Sequence, residues 1–327
     1  MSGSQHPFFT AFLDHLRASG KTSTATTYSG YLGMFERWFI SVNLAPENIA
    51  ADDVRHYQRW LSETYRCRDG TSLATSTRAT AILVVKSAYR FLYEAGHVLF
   101  NPAAHIQPPK TRRALTVAKE HLSQEETQAL IETAATLVSE ATPGSASWAI
   151  AARNLALIAI ALATGRRCLG LVSLRLTDLD MERHELRVSI EKAKMGRVLP
   201  VAGWAIDAVR RYLDGPRQFL LGTEASSPWL WVSLRADHLC PRGFVFVLDG
   251  LIQETTMRNP DLTELPNKRI STHSLRVSFA KLMHDHGCNI RSLNELMLHR
   301  SLNTTAAYTP ISIDDLRREL LPRHPRA

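Results

Sequence analysis

The sequence predicts a mainly α-helical protein of two domains, with a small β-hairpin in the second. Three observations predict this fold. Apolar residues recur at helical spacing over most of the chain, a basic segment with two prolines divides it near residue 110, and only two segments have the character of strands. With 327 residues, each of two domains is long enough to bury a core of its own.

The first predicted domain covers residues 1–104 and consists of helices. Apolar side chains that share helical faces are Tyr28, Leu32, Phe35, Phe39, Val54, Tyr57, Leu61, Ile82, Ala88, Phe91 and Leu92. Asp52 is the predicted N-cap of the helix that contains Val54. The pattern ends before the Asn101-Pro102 pair, which disfavours helix.

A basic linker is predicted over residues 105–121. After its two prolines it has four cations before the first acid at Glu120: Lys110, Arg112, Arg113 and Lys119. An extended basic segment favours contact with a phosphate backbone, and a solvated basic loop is the alternative. Such contacts position a protein on a nucleic acid without specifying sequence.

The second predicted domain covers residues 122–327 and opens with Ser123 and Glu126, which have the spacing of a capping box. The predicted helices are about 123–140, 147–163, 203–213, 241–256, 273–286 and 290–298, and the predicted strands are 185–190 and 197–201. The apolar run "LALIAIALA" at 155–163 is too short to span a bilayer and predicts a buried helix.

The composition favours a polyanionic partner in a reducing compartment. The formal net charge is +8, which suits a nucleic acid. The four cysteines are scattered without a C-x-x-C pair, which argues against a disulfide framework or a zinc site. The first residues have no basic stretch followed by an apolar one, as a signal peptide would. We therefore expect a cytoplasmic protein without a membrane segment, a metal or another cofactor.

Two basic motifs lie in the first half of the second domain. The segment "LATGRRCLG" places Arg166 and Arg167 at a Thr-Gly turn directly after the buried helix. The segment "EKAKMGRVLPV" places Lys192 and Lys194 at the tip of the predicted hairpin. Side chains at such turns can project into a cleft.

Two further motifs follow near the end of the chain. In "THSLR", His273 and Arg276 are three residues apart, so on a helix they share a face. In "HRSLNTTAAYTP", His299 is followed nine residues later by Tyr308. A phenol ionises near a pKa of about 10, so Tyr308 needs other groups to make it reactive. An H-x-x-R pair alone is a weak signal, because the chain has two more.

This ordered set resembles the tyrosine recombinase (phage integrase) family over nearly the whole chain. The family motifs A-T-G-x-R, H-x-L-R and L-G-H-x-S match in order, and the hairpin lysine is found by counting back from Arg197 and Pro200. The residues that correspond to the family's catalytic set are Arg167, Lys192, His273, Arg276, His299 and Tyr308. Arg166 competes with Arg167 for its place, and Lys194 competes with Lys192.

The resemblance implies both a fold and an activity. The N-terminal region is similar to a SAM-like core-binding domain, which with the catalytic domain forms a C-shaped clamp on DNA. The implied activity is site-specific recombination of double-stranded DNA through a 3′-phosphotyrosine intermediate and a Holliday junction, by a homo-tetramer on paired sites. The outcome would be integration, excision or resolution of a mobile element or replicon, with an accessory protein as a possible partner.

The chemistry implied by the resemblance suits these residue types. Attack by a phenolate builds negative charge on the phosphate oxygens, and without a metal fixed donors must stabilise it. Arg167 and Arg276 would bind the scissile phosphate, and His299 would add a hydrogen bond. Lys192 would protonate the leaving 5′-oxygen, and His273 would help to move the tyrosine proton.

After the tyrosine, apolar residues at helical spacing predict a terminal helix: Ile313, Leu316, Leu320 and Leu321. It packs either on its own domain or, as the resemblance suggests, on a neighbouring protomer.

Three positions depart from the family pattern: Gly170, where a glutamate is usual, Val277, where a second histidine is usual, and Leu298, where a glycine is common. None of them removes a catalytic group. Two alternative functions stay open. One is a related enzyme that relaxes DNA or forms hairpins, and the other is a DNA-binding regulator without catalysis.

Overall fold

A computed structural model describes residues 6–110, 120–190, 195–222, 225–234 and 236–298. The chain divides into two compact units, Met1–Leu115 and Thr116–Ala327. Both units are mainly helical, as predicted, and the small sheet lies in the second.

The first unit contains four long helices. They are α1 (Pro7–Ala18), α2 (Thr22–Ser41), α3 (Ala51–Glu63) and α4 (Thr75–Glu94). Their core is rich in aromatic rings: Phe35 lies against Tyr57 with ring centroids 4.8 Å apart, and both side chains are fully buried. Tyr89 is also buried and donates a hydrogen bond to the Pro46 carbonyl, at 2.7 Å. Burial raises the pKa of both the Tyr57 and the Tyr89 phenols. These aromatic residues therefore stabilise the core as hydrophobic groups.

The predicted helical faces of the first unit are largely confirmed, but the predicted cap at Asp52 is wrong. Helix α3 begins at Ala51, so Asp52 lies inside its first turn. The N-cap residue is Ala50, whose backbone N–H donates to the Asp53 carboxylate at 2.9 Å. The Asp53 carboxylate thus satisfies the N–H of the N-cap residue, as the acidic residue of a capping box does, and it also interacts favourably with the helix dipole.

The second unit is built around a buried helix. Its helices are α5 (Gln124–Glu140), α6 (Ala146–Thr164), α7 (Cys168–Val172), α8 (Gly203–Leu213), α9 (Pro216–Leu221), α10 (Pro241–Arg258), α11 (Thr272–Asp285) and α12 (Ile290–Leu296). Helix α6 packs on α5, α8, α9 and α11. It is long and apolar enough to pass a length-and-composition test for a membrane span, but most of it is buried in the unit. The prediction of a buried core helix is confirmed.

A three-stranded antiparallel sheet follows α7. Its strands are β1 (Leu179–Asp180), β2 (Glu185–Ile190) and β3 (Met195–Pro200), in the order β1-β2-β3. Leu186 pairs with Leu199, and both side chains are buried against the core of the unit. The predicted hairpin is thus confirmed, with an unpredicted third strand, β1, of only two residues.

The entry into the second unit is fixed by polar contacts. Ser123 and Glu126 form the predicted capping box: the Glu126 N–H donates to the Ser123 hydroxyl at 3.1 Å, and the Ser123 N–H donates to the Glu126 carboxylate at 2.7 Å. The same carboxylate is almost fully buried and forms a salt bridge with Lys268 at 2.7 Å. One residue earlier, the Leu122 N–H donates to the hydroxyl of Ser278 in α11. These contacts anchor the start of α5 to the segment that precedes α11 and to α11 itself.

Candidate functional site

The turn between α6 and α7 depends on Gly165. This residue has a φ of +57°, in the left-handed region that favours glycine. A Cβ added there would lie 2.9 Å from Cγ of Phe279 and nearer still to Cδ1. Because both the backbone and the space require glycine, the chain turns sharply here and the next two residues are the arginines.

Arg166 and Arg167 lie in different environments. Arg167 is the N-cap residue of α7, has an extended backbone with ψ of 147°, and is exposed. Arg166 is half-buried and folds over α7, where its Nη2 lies 3.3 Å from the Gly170 carbonyl oxygen. Of the two arginines that competed in the sequence, Arg167 is the one whose side chain is open to solvent.

Helix α11 is held at its start by reciprocal capping. The Ser271 hydroxyl accepts from the Ser274 N–H at 3.2 Å, and the Ser274 hydroxyl accepts from the Ser271 N–H at 3.1 Å. His273 and Arg276 both lie in this helix, which confirms their predicted helical setting. His273 is exposed, whereas Arg276 has only 2% of its surface exposed.

Arg276 joins three segments. Its Nη1 donates to the Gly165 carbonyl at 2.6 Å, and its Nη2 donates to the Met297 carbonyl at 2.6 Å. Met297 follows α12 and lies two residues before His299. The two bonds fix the plane of the guanidinium and bring the arginine turn, α11 and the end of α12 together.

The residues next to Arg167 and His273 in the chain are close to each other. The Cys168 thiol is half-buried, and burial raises its pKa, while the nearby Thr272 side chain acts in the opposite direction. Cys168 follows Arg167 directly, and Thr272 precedes His273 directly. The start of α7 therefore lies beside the start of α11, and the two motifs meet there. In contrast, another H-x-x-R pair, His56 and Arg59, is exposed on α3 in the first unit.

The hairpin is connected to α12 by an ion pair. Arg197 of β3 forms it with Glu295, which is 98 residues later in the chain. Both side chains are about half exposed, so the pair contributes about 1 kcal/mol or less to stability. Its value here is geometric, because it links the strand after the lysine segment to the helix before His299.

The structure describes the local setting of all three departures from the family pattern. Leu298 has a φ of +53°, a left-handed conformation that glycine adopts without strain and that costs another residue about 1–2 kcal/mol. At Gly170 an added Cβ would lie 2.8 Å from Nη2 of Arg166, so the arginine occupies space next to the missing side chain. Val277 is buried in α11 with 3% of its surface exposed. Neither the strain at Leu298 nor the position of Arg166 could be predicted from sequence spacing.

Several predicted residues lie outside the described residues: Lys192, Lys194, His299 and Tyr308, in the linker Arg112, Arg113 and Lys119, and in the predicted terminal helix Ile313, Leu316, Leu320 and Leu321. Lys110 is described and exposed in the first unit. In the part of the chain that the structure describes, no group of three or more histidine, cysteine or acidic side chains could hold a metal ion.

The chain is similar in sequence to tyrosine recombinases. The sequence profile of the phage integrase family matches residues 120–313, which is more than half of the chain. Tyrosine recombinase XerC of Bacillus licheniformis is 29% identical over 325 residues, covering 98% of this chain and 97% of the relative. Tyrosine recombinase XerC of Pelobacter propionicus is also 29% identical, over 319 residues, covering 97% of this chain and 95% of the relative.

Solved structures of DNA complexes have a similar fold. The XerH site-specific recombinase bound to palindromic difH substrate aligns with a TM-score of 0.67 and 18% identity, covering 90% of this chain and 78% of that one. The Tn1549 transposon integrase in complex with circular intermediate DNA aligns with a TM-score of 0.63 and 16% identity, covering 95% of this chain and 98% of that one. At these identities the likeness concerns the fold.

Proposed function

Because the chain belongs to the phage integrase family and is a tyrosine-type site-specific recombinase, we propose that it cleaves and rejoins DNA through Tyr308. The observation that carries the proposal is the hydrogen bond from Arg276 to the carbonyl of Gly165, at 2.6 Å. It spans 111 residues of sequence and supports a common site for the two arginine motifs.

Arg167 and Arg276 bind the scissile phosphate in this proposal. Their guanidinium groups present fixed donors to a phosphate whose negative charge rises during attack, and donors already oriented in the free enzyme need no reorganisation. The bonds of Arg276 to two carbonyls supply this orientation. Within the described ranges, Arg167 forms no salt bridge, so it has no carboxylate to release when phosphate binds.

The proposed reaction is a pair of transesterifications. The Tyr308 oxygen attacks the phosphorus as its proton passes towards His273, and the bond from phosphorus to the 5′-oxygen breaks. Lys192 protonates that oxygen, and His299 donates a hydrogen bond to the phosphate. The product is a 3′-phosphotyrosine and a free 5′-hydroxyl. A 5′-hydroxyl of the partner duplex then attacks the phosphotyrosine and releases the tyrosine, so one phosphodiester replaces another without a cofactor.

The general acid is tested by changing the leaving group. Lys192→Ala is expected to slow cleavage of an ordinary strand by about 10²–10⁴-fold, since the departing alkoxide then lacks its proton donor. In a substrate whose bridging 5′-oxygen is replaced by sulfur, the same variant should cleave at nearly the wild-type rate, because a thiol has a pKa of about 8.5 and leaves as the thiolate. Single-turnover cleavage on denaturing gels measures both rates.

Lys194→Ala is the matched control for this measurement. It is expected to slow the oxygen and sulfur substrates equally, as the loss of a phosphate contact would. If sulfur rescued Lys194→Ala and not Lys192→Ala, Lys194 would be the acid and the count from Arg197 would have to include a gap.

The reaction is assigned to a tetramer on two paired duplex sites, with strand exchange through a Holliday junction. The tail after Tyr308 would dock onto a neighbouring protomer through Ile313, Leu316, Leu320 and Leu321, and the cations of the linker, Lys110, Arg112, Arg113 and Lys119, would contact the DNA backbone with Lys194. Such contacts make binding strongly dependent on salt. The cytoplasm, where its DNA lies, is the proposed location, and integration, excision or resolution of a mobile element or replicon is the proposed outcome.

A plasmid assay separates recombination from simple relaxation. The recombinase should act on plasmids with two copies of its site and give products whose flanking sequences are exchanged, with a rate that rises steeply with protein concentration. A plasmid without the site should stay supercoiled. Relaxation of any supercoiled plasmid in a reaction of first order in protein would instead identify a relaxing enzyme of the same chemistry.

A further inference from the structure

Arg166 is a half-buried cation beside the proposed phosphate-binding site. Its Nη2 makes one hydrogen bond at 3.3 Å to the Gly170 carbonyl. Its Nε is buried, and in the part of the chain that the structure describes no hydrogen-bond acceptor lies within reach of it. A buried donor without an acceptor is unfavourable by about 1–3 kcal/mol, and native structures have few of them. Such a group needs a physical explanation.

The missing side chain at position 170 makes room for this arrangement. A Cβ at Gly170 would lie 2.8 Å from Nη2 and 3.3 Å from Cζ of Arg166. Glycine therefore leaves room for the guanidinium of Arg166 against α7, the helix that begins directly after Arg167. The positive charge of Arg166 is held at a fixed place rather than free in solvent.

Among the described residues, the positive charge of Arg166 has only a long-range interaction with an acidic group. Within the part of the chain that the structure describes, no carboxylate forms a salt bridge with Arg166. Asp178 acts on it at longer range, but its carboxylate accepts the Arg175 N–H at 2.8 Å. Burial is the main cause that lowers the pKa of Arg166, and Arg167 lowers it further, yet a guanidinium stays protonated at neutral pH. A partly desolvated cation without a paired carboxylate destabilises the fold.

We propose that Arg166 is a positioning residue for phosphate binding, whose counter-ion is the DNA phosphate held by Arg167. The inference rests on the proposed role of Arg167. Repulsion between the two guanidinium groups favours conformers in which Arg167 points outward to solvent. A bound phosphate then interacts favourably with both guanidinium groups. The unfavourable electrostatic energy of Arg166 in the free protein is therefore lower in the complex with DNA.

The test measures DNA affinity against salt concentration for three variants of the full chain. Arg166→Met removes the charge and keeps the length, Arg166→Lys keeps the charge, and Gly170→Glu adds a carboxylate next to the guanidinium. The added side chain meets the far end of a flexible arginine, which can move to form a salt bridge with it. The probe is a duplex with the cleavage site found by covalent trapping, and a duplex of random sequence is the comparison.

Arg166→Met and Gly170→Glu are both expected to weaken binding by roughly tenfold at about 0.1 M salt and to reduce the slope of log affinity against log salt by about 0.9. Arg166→Lys should retain most of the affinity and the slope. In cleavage assays the half-saturating DNA concentration should rise more than the maximal rate falls. The melting temperature of the free protein should not fall in Gly170→Glu, since that variant gives the buried cation a partner.

Arg167→Met separates the failure of this inference from that of the proposed function. If Arg167→Met lowers affinity and slope while Arg166→Met and Gly170→Glu leave both unchanged, Arg166 has a packing role only and the inference is wrong, while the proposed site stands. If Arg167→Met also leaves binding and cleavage unchanged, Arg167 does not hold the phosphate, and both assignments fall together.

Discussion

Replacement of Tyr308 by phenylalanine is expected to abolish covalent attachment to DNA and to leave DNA affinity within about twofold. The substitution removes one oxygen, which is the proposed nucleophile, and leaves the charge and the aromatic ring unchanged. Removal of a catalytic nucleophile typically lowers kcat by about 10³-fold or more. This loss is close to that caused by removing all the catalytic side chains that act together with it. The arginines and the basic linker, which are the proposed phosphate contacts, keep their charge in this variant.

The measurement traps the intermediate. Duplexes from the DNA that flanks the gene are nicked near the cleavage position, so that the short strand diffuses away and its 5′-hydroxyl cannot return. A slowly migrating adduct on a denaturing gel then reports the phosphotyrosine and locates the site. Tyr93→Phe is the matched control, because Tyr93 has 53% of its surface exposed on the first unit and should have no effect.

Two outcomes would contradict the assignment. An adduct that persists in Tyr308→Phe would mean that another side chain is the nucleophile, and mass spectrometry of the adduct would identify it. Tight, salt-sensitive binding without any adduct in the wild type would favour a DNA-binding regulator, unless an added accessory protein restores cleavage.

The sequence predicted the long helices well because their apolar residues repeat at helical spacing over three turns or more. Helices α5, α6, α8 and α11 begin and end within about two residues of the prediction. The short elements were missed. Helix α7 has five residues, helix α9 six and strand β1 two, so none contains enough repeats to give a period. They form because the larger elements around them position their backbone.

The candidate site could be predicted as an ordered set of motifs, but not as a geometry. Spacing indicated that Arg276 belongs to a helix, yet not that it hydrogen-bonds carbonyls in two distant segments. The left-handed backbone conformation of Leu298 could not be predicted either, because leucine rarely adopts it. The sequence indicated Arg166 only as an alternative to Arg167 for the catalytic position. Its partial burial could not be predicted, because it depends on the space next to Gly170. Such features arise from tertiary packing, which a linear pattern does not contain.

Gly165→Ala is expected to destabilise the second unit by about 2–5 kcal/mol and to slow DNA cleavage. The left-handed backbone costs an L-residue about 1–2 kcal/mol, and overlap with a packed side chain adds about 1–3 kcal/mol. Because Phe279 is buried in α11, the turn has to move away from that helix. Such a movement lengthens the bond from Arg276 to the Gly165 carbonyl and displaces Arg167, so the cleavage rate falls with stability.

Scanning calorimetry and single-turnover cleavage measure the two effects, and Gly144→Ala separates their causes. Gly144 also has a positive φ, +78°, but an added Cβ there would meet nothing within 4 Å. In this variant the free energy of unfolding should therefore fall only by the cost of the left-handed backbone, about 1–2 kcal/mol, and DNA should be cleaved at the wild-type rate. In Gly165→Ala/Phe279→Leu the smaller side chain should relieve part of the overlap, giving a double variant more stable than the sum of the single changes predicts. If Gly165→Ala lost no more stability than Gly144→Ala and cleaved DNA as fast as the wild type, the conclusion would be that the turn at Gly165 does not hold Arg167 and Arg276 in one site.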